Sequence, residues 1–379
     1  MRADSYKNVT ERLNAISEET NMPIGRKIIL PSSITGTPRW EMEQFQDAMV
    51  MMMVLGRPDL FITMTCNPLW KEIQDELYPG QRASDRCEIV TRVFNIKKNI
   101  MIDLLMNGQI FGKAIAFLCV IEFQLRGLPH AHILVTLDNN DKMLTPEDID
   151  GFIWAQLPDK EKYPRLYEKV TKYMTHGPHQ TNADGTPIGP CMRRNKDGQW
   201  KCRFDYPKAF REETTISTRG YPEYARPDNG RNIEENGLDN RWIVPYNPYL
   251  LLYMDCHVNV ERVFDIQSIK YMYKYIYKGP DRAAVQCGVP DESGTIIYDE
   301  TNKFLDTRIV SAPEGCWHIF RYKMQEKSHA IIRLPLHLKG DETVMWNEDL
   351  SEEEIMEQLE PKKMLIGKNL QNFSTHYVF

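Results

Sequence analysis

The feature that most constrains the fold is a pair of β-rich runs joined by a short turn-like segment. KAIAFLCVIEFQL follows Gly112, LRGLP supplies turn residues, and HAHILVTL is β-rich again. The pattern predicts an antiparallel hairpin, whose side chains alternate between two faces. Glu122 and Gln124 then share one face of the first strand, and His130 and His132 share one face of the second. The short turn can bring these two faces together.

The histidine–apolar–histidine pattern places two imidazoles side by side on one strand. Neutral imidazole binds divalent metals, and Glu122, or Gln124 as the alternative third ligand, would complete a site with open positions for substrate oxygens. The pattern by itself is weak, because nine histidines in this length produce it by chance with odds on the order of one in five. Surface histidines on a half-exposed strand are therefore the competing interpretation.

The bulk properties exclude several classes of protein. At 379 residues with 42% hydrophobic content, the chain can bury more than one core. A net charge of −6 argues against a wholly basic nucleic-acid coat but leaves room for a local basic groove. No apolar run approaches the roughly 18 residues of a membrane helix, and the N-terminus lacks a signal-like apolar core. We expect a soluble intracellular chain whose eight cysteines are reduced, so that clustered ones are metal ligands.

Local patterns predict mixed helix and strand. Residues 39–55 read as a helix ended by Gly56, and residues 59–65 alternate as a strand. A long helix is predicted from about Ser84, as its N-cap, to Met106. We expect four segments: the N-terminal helices and the first half of a core over 1–137, a loop-rich insertion over 138–246, the second half of the core over 247–349, and a peripheral C-terminal segment over 350–379.

The insertion carries four residues that can bind a metal. His176, His179, Cys191 and Cys202 have the spacing H-x₂-H-x₁₁-C-x₁₀-C. A loop-rich segment with little apolar content needs a cross-link, and tetrahedral Zn²⁺ held by two imidazoles and two thiolates would be one. The alternative is that these are ordinary loop residues with no metal.

A tyrosine-rich stretch, DIQSIKYMYKYIYKGPDR, lies in the last third of the chain. Its isoleucines recur at helical spacing and a Gly-Pro pair follows, so a helix over about 265–278 is favoured over a strand. Tyr271 and Tyr275 then share a face with Lys274 and Lys278. A phenol titrates near about pH 10, so as a nucleophile it needs nearby positive charge or a metal-polarised electrophile. The alternative is that these tyrosines are simply core.

Several stretches, in order, resemble the replication-initiator (Rep) domain of Helitron rolling-circle transposons, known as the helitron helicase-like domain. This family belongs to the HUH endonucleases, named for histidine–hydrophobic–histidine. The resemblance spans about residues 30–282, and a series of segments in order is more specific than any one motif. The segments are LPSSITGTPRWEMEQFQDAM, PDLFITMTCNPLWKEI, IEFQLRGLPHAHILVTL, NPYLLLYMDCHVNVE and IKYMYKYIYKGPDR.

The resemblance implies an α+β fold with a central antiparallel sheet flanked by helices, in which Mg²⁺ or Mn²⁺ supports nicking of single-stranded DNA through a 5′-phosphotyrosine. It implies His130 and His132 as metal ligands, with Glu122 as the choice for the third. It also implies Tyr271 and Tyr275 as paired nucleophiles, whose neighbouring lysines 274 and 278 would offset charge on the phosphate. The family's first motif, beside the active site, falls on Thr63, Thr65, Cys66 and Asn67.

The expected partner is single-stranded DNA at transposon ends, and the family implies a nuclear location. No G-x-x-x-x-G-K-[ST] loop occurs in the sequence, so we expect no ATP site. The helicase half usually fused in these transposases is then missing from this sequence, which we expect to be either a fragment or a solitary Rep-type protein. One alternative is a catalytically silent or domesticated single-stranded DNA-binding module of the same fold. A weaker alternative is a metal-dependent phosphodiesterase that uses water as its nucleophile.

Overall fold

A computed structural model of the chain describes residues 17–18, 21, 24–28, 30–123, 127–182, 187–218, 220–263, 296–299 and 310–332. The chain divides into two compact units, Met1–Ser328 and His329–Phe379. Nearly all of the described residues belong to the first unit, and the account below concerns that unit. The predicted helix over 265–278 and the predicted C-terminal segment lie outside the described residues, and the four segment boundaries stay predictions.

Mixed helix and strand run along the whole described part of the first unit. Its α-helices are α1 (Pro38–Leu55), α2 (Lys71–Gln74), α3 (Cys87–Met106), α4 (Pro146–Phe152), α5 (Pro164–Tyr173), α6 (Pro248–Met254) and α7 (Ala312–Ile319). Its strands are β1 (Ile24–Ile28), β2 (Leu60–Thr65), β3 (Ala114–Phe123), β4 (Pro129–Leu137), β5 (Gln180–Thr181), β6 (Pro187–Ile188), β7 (Met192–Arg194), β8 (Trp200–Cys202), β9 (Thr215–Ile216), β10 (Pro222–Glu223), β11 (Val258–Arg262), β12 (Ile296–Asp299) and β13 (Gln325–Lys327). Across the described residues, no helix combines the length and apolar character needed to cross a membrane.

Five strands form the central sheet in the order β11-β2-β4-β3-β13, and every neighbouring pair is antiparallel. The predicted hairpin is confirmed, because β3 pairs directly with β4 and Glu122 lies opposite His130. Burial alternates along β2 with period two, as expected for a strand whose two faces meet different surroundings. The predicted α+β class with a central antiparallel sheet flanked by helices is confirmed.

One face of the sheet packs on α3 and forms the larger apolar core, which we call the sheet core. From α3, Val90, Phe94 and Met101 enter it at roughly helical spacing and are almost fully buried. The opposite face is covered in part by α1, whose Phe45 and Ala48 pack against residues of β3 and β4. The sheet is thus held between helices on both faces.

The ends of α1 and α3 show how well local signals predict helix boundaries. Thr37 caps α1 by accepting a hydrogen bond from Trp40 N at 3.2 Å, and Gly56 ends it with φ of 93°. The prediction of Ser84 as the N-cap of α3 is wrong. Ser84 lies in a 3₁₀ turn over Ala83–Asp85, closed by a hydrogen bond from Arg82 N to Asp85 Oδ2 at 2.8 Å, and α3 begins only at Cys87.

The segment between residues 138 and 246 is more ordered than its composition suggests. It contains α4 and α5, and it builds most of a second apolar core, the insertion core. The members of that core are Leu157, Leu166, Val170, Met174, Ile233, Leu238, Ile243, Tyr246 and Leu251. The buried guanidinium of Arg226 ties this segment together by donating to the carbonyl oxygens of Ala155, Asn240 and Ile243 at 2.6–3.0 Å.

Candidate active site and metal centres

The candidate active site lies on the sheet face opposite the sheet core, at the end where β3 turns into β4. Residues paired directly across an antiparallel sheet share a face. Thr63 pairs with His132, and Thr65 pairs with His130. Glu122 pairs with His130 from the other side. Two imidazoles, two hydroxyls and a carboxylate therefore share one face.

The two threonines orient the imidazoles. Thr63 Oγ1 lies 3.1 Å from His132 Nδ1, and Thr65 Oγ1 lies 3.0 Å from His130 Nδ1. Both contacts occupy Nδ1, so the Nε2 atom of each ring points away from its threonine. On the far side, His132 Nε2 lies 2.9 Å from Glu122 Oε2.

The contact between His132 and Glu122 is buried, so its polar atoms cannot be satisfied by water. The two residues are 6% and 7% exposed, and the ring of Phe61 stacks on His132 with a centroid distance of 5.8 Å and an interplanar angle of 11°. If the threonine hydroxyl accepts from Nδ1–H, a nitrogen lone pair faces a carboxylate oxygen. Two such electron-pair donors are stable side by side only with a proton or a cation between them. The donor set therefore suits a divalent metal.

The three predicted metal ligands are less close together than the pair His132 and Glu122, and the predicted alternative ligand, nucleophiles and lysines lie outside the described part of the chain. Within the described part of the chain, His130, His132 and Glu122 do not form a group whose three ligand atoms lie within 4.8 Å of one another. Gln124, the alternative third ligand, lies outside the described residues. The predicted nucleophiles and their lysines, Tyr271, Tyr275, Lys274 and Lys278, also lie outside them.

Asn67 has a structural part in the fold. Its Nδ2 donates to Tyr173 Oη at 3.0 Å and to Asp255 O at 2.7 Å, and its Oδ1 accepts from Leu69 N at 2.9 Å. The side chain is 6% exposed, and these contacts engage both ends of the amide. Asn67 therefore links the end of β2 to the elements that precede β11.

Sequence reasoning missed two amides on the same sheet face. Gln325 in β13 and Asn259 in β11 flank the row that contains Thr63 and His132. Among the described residues, Gln325 Nε2 and Asn259 Oδ1 are buried atoms with no hydrogen-bond partner. No local signal marks Gln325, because β13 has three residues and pairs with a strand some two hundred positions earlier.

The four predicted zinc ligands come together. His176, His179, Cys191 and Cys202 place one ligand atom each within 4.8 Å of the others, and they are the only such group of three or more that the described residues contain. Burial, together with neighbouring His179 and Lys208, holds the pKa of His176 below its ordinary value. Its imidazole is therefore neutral at pH 7, which is the form that binds metals.

Comparison with known proteins agrees with the position of the histidine site. Residues 1–135 match the family model described as "Helitron helicase-like domain at N-terminus". The match includes β2 and β3 and extends into β4 beyond the histidine pair. No curated protein matches the chain. The N-terminal part of the chain, up to and including His130 and His132, is therefore similar to the Helitron helicase-like N-terminal domain.

Proposed function

We propose that the chain is a metal-dependent HUH endonuclease and strand transferase of a Helitron-like rolling-circle transposon. Its substrate would be single-stranded DNA at transposon ends, and its intermediate a 5′-phosphotyrosine. The observation that carries the proposal is the contact of His132 with Glu122, on a sheet face where threonines orient both histidines. These threonines and histidines and Glu122 lie within residues 1–135, the part of the chain that matches the Helitron family.

His130, His132 and Glu122 are the residues proposed to hold Mg²⁺ or Mn²⁺. Two imidazole nitrogens and a carboxylate oxygen leave coordination positions open for oxygens of a substrate. Bound there, the metal would act as a Lewis acid on a phosphoryl oxygen. The threonine contacts to each Nδ1 would fix ring orientation and tautomer, as outer partners of metal-binding histidines generally do.

The chemical step is proposed to be a transesterification by Tyr271 or Tyr275. The phenolic oxygen would attack phosphorus in line, losing its proton, while the P–O bond to the 3′ oxygen breaks and that oxygen leaves as a hydroxyl. Lys274 and Lys278 would offset negative charge near the phosphate. One phosphodiester bond is exchanged for another, so rejoining would need no ATP. A second tyrosine would allow a second DNA end to be held.

Trapping a covalent adduct tests the proposal directly. The purified chain is incubated with labelled single-stranded oligonucleotides of random sequence and Mn²⁺, and adducts are resolved on a denaturing gel. We expect an adduct whose tryptic peptide carries the nucleotide on Tyr271 or Tyr275. The double variant Tyr271→Phe, Tyr275→Phe should form none, and His132→Ala should lower the yield at least about tenfold.

The matched control removes two other phenols. Tyr249 and Tyr253 are an exposed stacked pair on α6, so the variant Tyr249→Phe, Tyr253→Phe should keep full adduct yield. An adduct that survives in the Tyr271, Tyr275 double variant would overturn the nucleophile assignment. Cleavage without any adduct would favour a phosphodiesterase that uses water. Binding without cleavage would favour the silent DNA-binding module.

A further inference from the structure

The two-histidine, two-cysteine cluster shares no residue with the proposed nuclease site and draws its members from two chain segments. His176 and His179 follow α5, which is part of the insertion core. Cys191 directly precedes β7, and Cys202 ends β8 of the same short hairpin. A ligand bound to all four would join the hairpin to the helix.

The distances within the cluster agree with a tetrahedral zinc site. His176 Nε2 lies 3.4 Å from His179 Nε2 and 3.6 Å from Cys202 Sγ. With Zn–N near about 2.05 Å and Zn–S near about 2.3 Å, tetrahedral geometry separates two nitrogens by about 3.3 Å and a nitrogen from a sulphur by about 3.6 Å. A direct hydrogen bond between two neutral imidazoles would need one Nε2–H.

Aromatic packing and backbone bonds hold the ligands in place. The ring of His176 stacks on Tyr206 at 4.4 Å between centroids, and Trp242 lies nearly parallel to it at 6.4 Å. The backbone N of His176 donates to Trp242 O at 2.8 Å, and Arg203 N donates to Cys191 O at 2.7 Å. The second of these bonds joins the residue after Cys202 to Cys191, so it links the two ends of the hairpin that carry the cysteines. These contacts therefore fix the positions of the ligands.

The hairpin has little else to fix it. The three apolar clusters of the described residues are built from other parts of the chain. Its basic side chains Arg193, Arg194 and Lys201 are exposed, and so is Trp200. Cys202, in contrast, is 3% exposed. A short polar hairpin without apolar burial needs a cross-link to persist in one conformation.

We propose that His176, His179, Cys191 and Cys202 bind one structural Zn²⁺, which fixes the β7–β8 hairpin to the end of α5. Two thiolates and two imidazoles complete the tetrahedron, so no position remains for a substrate. Soft sulphur ligands select Zn²⁺ over the Mg²⁺ or Mn²⁺ of the proposed nuclease site. The inference does not rest on the nuclease function, since neither site needs the other.

Metal content of the purified full chain tests the inference. We expect about one zinc per chain, and near-complete loss of zinc in the double variant Cys191→Ser, Cys202→Ser. The matched control is Cys87→Ser, Cys316→Ser, which removes another pair of neighbouring half-buried thiols, with sulphurs 3.3 Å apart. That control should keep its zinc. Equal zinc in the two double variants would overturn the site.

A second measurement does not depend on the folding of a variant. Cobalt added to the unmodified, zinc-depleted chain should give the visible absorption of tetrahedral Co²⁺ with a thiolate-to-metal band. Zinc should displace it. Absence of both copurified zinc and a tetrahedral cobalt spectrum would refute the inference. A Cys191–Cys202 disulfide in the chain as isolated with a reducing agent present would refute it equally.

Discussion

His132 is held on three sides by contacts that leave its ring little freedom. Thr63 lies at Nδ1, Glu122 lies at Nε2, and Phe61 stacks on the ring face. A buried imidazole beside a buried carboxyl is costly unless each finds a polar partner. These contacts supply such partners and set the orientation of Nε2. Orientation of this kind lowers the entropic cost of forming a metal site.

The hydroxyl of Thr63 should therefore matter for metal affinity more than for folding. Thr63→Val keeps the shape of the side chain but removes the contact to Nδ1 of His132, and we expect Mn²⁺ affinity to fall by about 10–100-fold. Thr63→Ser restores the hydroxyl and should bind within a few-fold of the unmodified chain. Isothermal titration with Mn²⁺ measures both. Equal affinity for the valine and serine variants would contradict the orienting role.

His257 should make stability depend on pH. Burial lowers its pKa from the ordinary 6.5, and Nδ1–H donates to Tyr173 O at 2.7 Å. The folded state therefore resists protonation, while the unfolded state takes up a proton below pH 6.5. Stability is full above that pH and is lost as pH falls from 6.5 towards the folded pKa, with a slope of at most about 1.4 kcal/mol per pH unit.

The comparison for this prediction is His257→Asn, which keeps an N–H donor near the position of Nδ1 but does not titrate. The free energy of unfolding is measured in urea at several pH values for both proteins. Other groups titrate alike in the two chains, so their contributions cancel in the difference. The stability advantage of the unmodified chain over the variant should shrink as the solution becomes acidic. A difference that stays constant with pH would show that His257 does not titrate in this range.

At the scale of elements, the turn from α3 into β3 sets where the hairpin begins. Gly112 has φ of 94°, and a Cβ added there would meet Asp141 Cβ at 2.6 Å. Asp141 Oδ2 in turn accepts from Lys113 N at 2.9 Å, one residue before β3 starts. Only glycine combines this backbone conformation with such a close approach.

Substitution of Gly112 by alanine should be strongly destabilising. We expect the free energy of unfolding to fall by at least about 1–3 kcal/mol, because a non-glycine residue is strained at this φ even before the clash is counted. Gly151→Ala is the matched control, since Gly151 lies in α4 with no atom within 4 Å of its added Cβ. That control should be stabilising by up to about 1 kcal/mol. Urea unfolding measures the free energy of unfolding of both variants. Similar losses of stability in the two would contradict the special requirement for glycine at position 112.

The hairpin could be predicted from the sequence because the alternation of residues along each strand and the short turn both determine which side chains share a face. Period two places His130 and His132 on one face, and the turn length sets Glu122 opposite His130. The start of α3 was not predicted correctly, because Asp85 closes a separate 3₁₀ turn first. Ser84 has the right residue type for a cap but lies inside that turn.

Long-range packing accounts for what the sequence did not reveal. The insertion core joins residues such as Leu157 and Tyr246 that are far apart in the chain, so no window of sequence shows its apolar pattern. β13 reaches its place by pairing with β3 over three residues, too few for a periodic signal. Trp70, Phe94 and Lys98 are of residue types that can contact nucleic acid, but each is at most 2% exposed. Residue type alone does not distinguish a stacking platform from core.

At the scale of the whole first unit, the sheet core and the insertion core share α6. Consecutive residues of that helix divide between them, since Leu250 lies in the sheet core and Leu251 in the insertion core. Asn67 adds a polar link between β2 and Tyr173. A helix packed on two sides transmits the loss of either contact to the other. The two cores should therefore unfold together.

Leu251→Ala tests this cooperativity. Truncation of a fully buried leucine should lower the free energy of unfolding by about 2–5 kcal/mol. If the cores unfold together, slowly exchanging amides of β4 should lose as much protection as those of α5, although Leu251 lies in the insertion core alone. Tyr253→Ala, on the exposed side of the same helix, should change stability by less than about 0.5 kcal/mol. Hydrogen exchange measured by mass spectrometry reports both regions in one experiment. Loss of protection confined to α5, with β4 unchanged, would show instead that the segment around the insertion core opens independently of the sheet.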